Sequence, residues 1–128
     1  SLDLSGLAVP VVLFGDETSF GLAAALRDSP QGADTIHVFE GSKVAELRPV
    51  LEAIGLGQAT LIERTSGETH LAAVEAEALR LAASGAHFIL TGKASSIQRV
   101  GRALKAAGVV SSRIKAKAYW AQGKTGLD

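Results

Sequence analysis

Gly15-Asp16-Glu17-Thr18 closes the apolar run Val11-Val12-Leu13-Phe14 and leads into a helix-like segment. Two carboxylates, a hydroxyl and the free amides of a helix start form a polar group at a strand end, and in an open α/β sheet the ligand crevice lies at the carboxyl ends of the strands. The turn lacks the glycines of a G-x-G-x-x-G fingerprint, and Asp16 and Glu17 would repel a pyrophosphate brought as close as that fingerprint brings it. A dinucleotide is therefore expected to lie across the strand ends, touching Thr18 and the helix-start amides. The alternative for the same four residues is a capped helix start, with acidic side chains set against the helix dipole.

Four further groups fall at strand ends: Glu40 to Lys43, Glu63 to Ser66, Thr91 to Ser95, and Tyr119 to Lys124. Arg64 follows the third apolar run, where a planar guanidinium could grip an adenosine 2′-phosphate with Thr65 and Ser66 as helper hydroxyls, or could be an exposed surface arginine. Thr91-Gly92-Lys93-Ala94-Ser95 offers a close-approach glycine ahead of a helix, or only a strand-to-helix turn. Tyr119 and Trp120 are the sole tyrosine and tryptophan of the chain, and at a strand end they could shield a redox ring, meet a partner domain or pack an edge strand. The hydroxyls, amides, glycines and few cations of these groups suit a phosphate-bearing ligand with a polar ring. Ser19, Ser42, Ser95 and Ser96 have no G-x-S-x-G elbow and no assignable base, so no catalytic triad is expected. Gly123-Lys124-Thr125 and Gly92-Lys93 fail the P-loop spacing because Ala118 and His87 stand where the upstream glycine is required. His37, His70 and His87 have no carboxylate or cysteine at ligand spacing, which argues against a metal site.

The elements that must position these residues repeat one plan. Val9 to Phe14 is an apolar strand of the kind covered on both faces, and Thr18 to Arg27 a helix capped by Asp16 or Thr18, with Phe20, Ala23 and Ala24 inward. Thr35 to Phe39 is a second strand, and Val44 to Ala53 a helix on Val44, Leu47 and Leu51 despite Pro49. Ala59 to Ile62 is a third strand, followed by a helix striped with Leu71, Val74, Ala78 and Leu81 and stopped at Gly85. His87 to Leu90 is a fourth, followed by a helix on Ile97, Val100, Leu104 and Ala107 that closes at Gly108. Ile114, Ala116, Ala118 and Trp120 alternate with Lys115, Lys117 and Tyr119, the pattern of an edge strand or of one facing another domain. Five β-α cycles with short connections predict an α/β fold: a five-stranded parallel sheet with right-handed crossovers, doubly wound into three αβα layers.

The 128 residues form a single expected domain, 1–128, and 47% apolar content supplies its core. Thirteen basic residues balance thirteen acidic ones, so no global field argues for nucleic acid or an anionic membrane, and any anion site must be local. The absence of cysteine excludes disulfides and thiolate chemistry and points to a cytoplasmic location. No apolar run approaches the roughly 20 residues of a membrane span, and the first residues do not form a signal peptide. A sequence without methionine that begins at Ser1 is expected to be a processed or excised piece.

Gly15-Asp16-Glu17-Thr18 after an apolar strand, Thr91-Gly92-Lys93-Ala94-Ser95, and Arg113-Ile114-Lys115 running into Ala118-Tyr119-Trp120 together resemble the C-terminal half of siderophore-interacting proteins. These are NAD(P)H-dependent, flavin-using ferric-siderophore reductases related to the ferredoxin reductase superfamily. The resemblance spans nearly the whole chain and implies a ferredoxin-reductase-like NAD(P)-binding module. It places Asp16, Glu17, Thr18, Arg64 and the Thr91 to Ser95 turn near the cofactor. Family members usually carry glutamate where Lys93 stands, which alters the charge beside the nicotinamide. The family's N-terminal flavin-binding barrel, which holds FAD, is absent from this chain and is expected upstream of Ser1; without it this chain should not be a competent reductase, because hydride transfer needs the two rings stacked. Lys115, Lys117 and Lys124 would form a basic rim toward an anionic ferric siderophore, or be solvated lysines. Two other functions remain open: a stand-alone nucleotide-binding or interaction module without catalysis, and a small α/β enzyme acting on another phosphorylated ligand.

Overall fold

A computed structural model of the chain describes residues 2–4, 6, 10–30 and 34–123. Within them, strands β1 (Val11–Gly15), β2 (Thr35–Gly41), β3 (Thr60–Glu63), β4 (His87–Lys93) and β5 (Ile114–Trp120) alternate with helices α1 (Phe20–Arg27), α2 (Val44–Ala53), α3 (Leu71–Ala82) and α4 (Ala94–Ala106). The sheet order is β3-β2-β1-β4-β5 with every neighbouring pair parallel. The expected five-stranded, doubly wound α/β architecture is therefore the observed one.

The period of two along each strand splits the core into two layers. Val12, Phe14, Val38, Phe88 and Leu90 face α3 and α4, packing on Leu71, Val74, Ala78, Leu81, Ile97, Val100 and Leu104. Val11, Leu13, Phe39 and Ile89 face α1 and α2, packing on Ala23, Leu26 and Leu51. Both faces being covered is why β1 and β4 read as unbroken apolar runs rather than alternating ones. The winding direction reverses between β1 and β4, so the chain ends after these two strands part and leave a crevice at their carboxyl ends.

Several boundaries differ from those the sequence predicts. Val9, assigned to the first strand, lies outside the described residues, as does Lys124. The segment after β1 enters through a short 3-10 turn, Glu17–Ser19, and α1 buries Ala23 and Leu26 while Ala24 is half-buried. Asp16, not Thr18, is the cap. β3 starts at Thr60, leaving Ala59 as a buried residue just before it. β4 does not stop at Leu90: Thr91, Gly92 and Lys93 continue it, paired with β5, and α4 begins at the next residue without an intervening turn. At the end of α4 Ala107 is exposed, and Val109 fills the core there after the chain turns at Gly108. On β5, Ile114 and Ala118 pack on the core but Ala116 is exposed, because β5 is the sheet edge and α4 does not reach over its middle. Pro49 sits on the exposed side of α2, where losing one helical hydrogen bond is tolerated while Leu51 anchors the buried side. No helix among the described residues is long and apolar enough to cross a membrane.

Leu104 is fully buried between α4 and the sheet, whereas Leu79 on α3 is 38% exposed. Leu104→Ala should lower stability by about 2–5 kcal/mol, and Leu79→Ala by well under half of that. Urea unfolding of both variants, followed by circular dichroism, checks the contrast.

Candidate functional site

Asp16 is completely buried at the carboxyl end of β1. A buried carboxylate is tolerated only when its lone pairs are taken up, and here each oxygen is. Oδ1 accepts from the Thr18 backbone N–H at 2.9 Å and from the Thr18 hydroxyl. Oδ2 accepts from the Trp120 indole Nε1–H at 2.7 Å and lies 3.7 Å from the Arg64 guanidinium. The backbone N–H of Asp16 donates to Ser19 Oγ at 3.2 Å, which completes a capping box, and the Ser19 and Thr91 hydroxyls meet at 2.8 Å. Thr91 in turn donates to the Phe14 carbonyl, so the ends of β1 and β4 are tied through side chains as well as through the sheet. Gly15 and Gly92 make room for this arrangement. A Cβ on Gly15 would run into Ser19 and stand 2.8 Å from Thr91 Oγ1, while one on Gly92 would lie 2.9 Å from the Asp16 carboxyl. Gly92 also has φ of +101°, a conformation that side-chain-bearing residues adopt only under strain.

Trp120 reaches Asp16 because of an irregularity in the β4–β5 ladder. Gly92 pairs with Ala118 but Lys93 pairs with Trp120, so Tyr119 is the extra residue of a bulge. The indole ring has two cations against it, Arg64 at 5.7 Å and Lys93 at 5.3 Å from its centre. Burial pushes the Tyr119 phenol above its usual value of 10.0.

On the β2–β3 side, Arg64 turns inward, its side chain 21% exposed, and meets Glu17 at 3.2 Å and Glu40 at 3.8 Å as well as Asp16. Glu40, at 1% exposure, accepts at Oε1 from His70 Nε2 at 2.6 Å. His70 Nδ1 accepts from the Thr65 backbone N–H at 3.1 Å, which fixes the neutral tautomer with its proton on Nε2. Glu40 Oε2 and Arg64 Nε have no hydrogen-bond partner. Glu17 Oε2 accepts from the Ser42 N–H at 2.9 Å, and Glu63 Oε1 accepts from the Val44 N–H at 3.1 Å. Burial acts to raise the Glu17 pKa, but the Ser42 amide and Arg64 outweigh it and hold the carboxyl below its usual 4.5.

Lys93 and Ser95 converge on Glu68 Oε2 at 2.9 and 2.7 Å, tying the end of β4 to the turn before α3. These two bonds hold the Glu68 pKa below 4.5. Glu68 has φ of +64°, next to Gly67 at +73°, so the turn that carries it is strained and its contacts offset that strain.

Of the residues singled out in the sequence, Gly15, Asp16, Glu17, Thr18, Arg64, Thr91, Gly92, Lys93 and Trp120 gather at one edge of the sheet. Ser95 joins through Glu68, Ser66 is exposed at the start of a 3-10 turn, and Tyr119 stands in the bulge. The Arg64 guanidinium faces three carboxylates, and the Thr18 amide is taken by the Asp16 side chain. Glu68 was not singled out, Glu40 was named only within the strand-end group Glu40 to Lys43, and His70 only in arguing against a metal site. A glutamate closing an apolar strand, as Glu40 closes β2, is the one sequence signal for them, since such a charge must find a buried partner. His70 is the residue that caps the start of α3. Lys115 and Lys117 are half-buried on β5. Among the described residues no group of three or more histidines and carboxylates could hold a metal ion.

A model of the siderophore-interacting protein family matches residues 8–123. The chain belongs to that family. Among solved structures, the flavohem-like FAD/NAD binding domain of nitric oxide dioxygenase from Vibrio cholerae O1 biovar El Tor is similar at 13% identity and a TM-score of 0.49, over 88% of this chain and 51% of that one. The chain thus spans about half the length of that structure. A comparison with curated proteins finds no match.

Gly92→Ala should cost about 1–3 kcal/mol from the backbone alone and displace Asp16 from Trp120, read as lower urea resistance together with a shifted Trp120 emission. Glu17 and Glu68, with lowered folded pKa values, contribute stability that is present above their unfolded value of 4.5 and lost as pH falls through the folded ones. Acid titration should therefore show native stability declining below about pH 4.5, with a shallower decline in Glu68→Gln.

Proposed function

We propose that the chain is the pyridine-nucleotide module of an NAD(P)H-dependent, flavin-using reductase, and that the intact protein reduces ferric siderophores in the cytoplasm during iron acquisition. The observation that carries this is the site at the β1–β4 switch point, where Gly15 and Gly92 let Ser19, Thr91 and Asp16 pack at the strand ends and buried Asp16 holds the Trp120 indole. Family membership supports the same assignment. The residues fit a dinucleotide: the Trp120 indole stands at the strand ends with the Arg64 and Lys93 cations against it, beside the hydroxyls of Thr18 and Ser95.

A bound nicotinamide would supply two electrons as hydride, and FAD on an N-terminal flavin domain would pass them singly, one to each of two iron(III) substrates. This chain's own part is orientation and electrostatics. Asp16 fixes the indole plane of Trp120, and that plane shields the ring edge from water. Thr18 and Ser95 border the crevice with hydroxyls, and Ser66 adds one on the β3 side. Lys93, held by Glu68, and Arg64, held among Asp16, Glu17 and Glu40, stand against the indole ring and would fix the wall that the nicotinamide end meets. Lys115 and Lys117 would face the flavin domain or the anionic siderophore. Tyr119 would pack at that same junction.

Trp120 is the single tryptophan, so nucleotide binding can be followed directly. NADH or NADPH should quench its emission with saturation, and Asp16→Asn should weaken binding by about tenfold, the loss of one charged hydrogen bond. Siderophore-bound iron(III) should be reduced only by the protein that includes the flavin domain. Absence of saturable binding of either nucleotide would refute the assignment, whereas binding without any reduction by the flavin-containing protein would leave a binding module.

A further inference from the structure

Resting on the dinucleotide assignment just made, we infer that the adenosine end of the site selects a ribose with a free 2′-hydroxyl and rejects a 2′-phosphate, so the reductant is NADH. In a doubly wound sheet the adenosine ribose is met at the end of the second strand, where an acidic residue accepts from the 2′-hydroxyl or an arginine accommodates a 2′-phosphate. Both residue types are present here, and their surroundings separate the two outcomes.

The amides that an anion would use at the start of α2 are already occupied. The Ser42 N–H donates to Glu17 Oε2 at 2.9 Å and the Val44 N–H to Glu63 Oε1 at 3.1 Å. Carboxylates brought in from the ends of β1 and β3 thus stand where phosphate oxygens would sit. Arg64 is committed to three carboxylates, at 3.2, 3.7 and 3.8 Å. The remaining nearby cation, Lys43, has a side chain 73% exposed and shares its charge with Glu46 at 3.9 Å. A dianion placed here meets Asp16, Glu17, Glu40, Glu46 and Glu63 against two cations, and like charges brought together at a binding site cost several kcal/mol.

The second observation is chemical and independent of net charge. Glu63 is exposed and Glu17 half-buried, and each holds one amide at the start of α2. A ribose hydroxyl donates as well as accepts, so it can approach these carboxylates as a donor. A phosphate dianion only accepts, and would face them as another acceptor. Glu17 and Glu63 are therefore the specificity-determining residues.

The test is calorimetric titration of the intact protein with NADH and NADPH. NADH should bind at least about tenfold more tightly at low salt, and the ratio should shrink as ionic strength rises, because the discrimination is electrostatic. Glu63→Gln, at an exposed position, and Glu17→Gln, which keeps an acceptor for Ser42, should each shift the ratio toward NADPH by about threefold or more. Equal or tighter binding of NADPH by the unmodified protein overturns the inference while leaving the dinucleotide assignment standing. So does a ratio that neither variant moves. Failure of both nucleotides to bind overturns the dinucleotide assignment itself and this inference with it.

Discussion

The structure at the working edge depends on one buried carboxylate. Asp16 sits where β1 ends, with no exposure to water, and a charge in that position is sustained only by donors that come to it. They come from three residues: Thr18 with its amide and hydroxyl, Trp120 with its indole and Arg64 with its guanidinium. Each donor belongs to a different part of the chain, so meeting Asp16's demand fixes the first turn after β1, the end of β5 and the loop after β3 relative to one another. The glycines follow from the same demand. Gly92 is needed because any side chain there would press on the carboxyl.

Around this centre, charges are paired rather than displayed. Arg64 is shared among three carboxylates, Glu40 is held by a neutral histidine, and Lys93 is answered by Glu68. A chain with no net charge can in this way carry a densely ionic edge without a long-range field. Lys93 is part of the same economy of partners. Because β4 runs into α4 without a turn, its side chain leaves from backbone that is hydrogen-bonded on one side and helical on the other, and the Lys93–Glu68 bridge can hold a strained loop in place.

Much of the architecture was legible in the sequence because burial on both faces of a parallel sheet leaves an unmistakable pattern. The apolar runs at Val11 and His87, the stripe from Leu71 to Leu81 and the break at Gly85 all map onto observed elements. The boundaries that moved did so where backbone pairing, not apolar content, decides. Thr91-Gly92-Lys93 looks like a turn by composition, yet β5 offers it a ladder and it becomes strand. Ala116 follows the alternation but lies exposed on the edge strand, across an open cleft from α4. In the site, Gly15 through Thr18, Gly92 and Trp120 could be picked out by residue type at strand ends. The Glu40–His70 pair could not, since its members lie 30 residues apart and meet only after β2 and the turn before α3 are placed. The inward turn of Arg64 was equally hidden, because it depends on carboxylates from β1 and β2 arriving at the same point.

The bond between Trp120 and Asp16 joins residues 104 positions apart, which gives it a meaning in time as well as in space. During synthesis the first four strands and their helices can assemble around both apolar layers before β5 has emerged, but until it does Asp16 has lost one of its donors and the crevice has no indole wall. A contact so distant in sequence must first meet the closure entropy of a long loop. The edge is complete only once the strand furthest along the described chain has paired with β4.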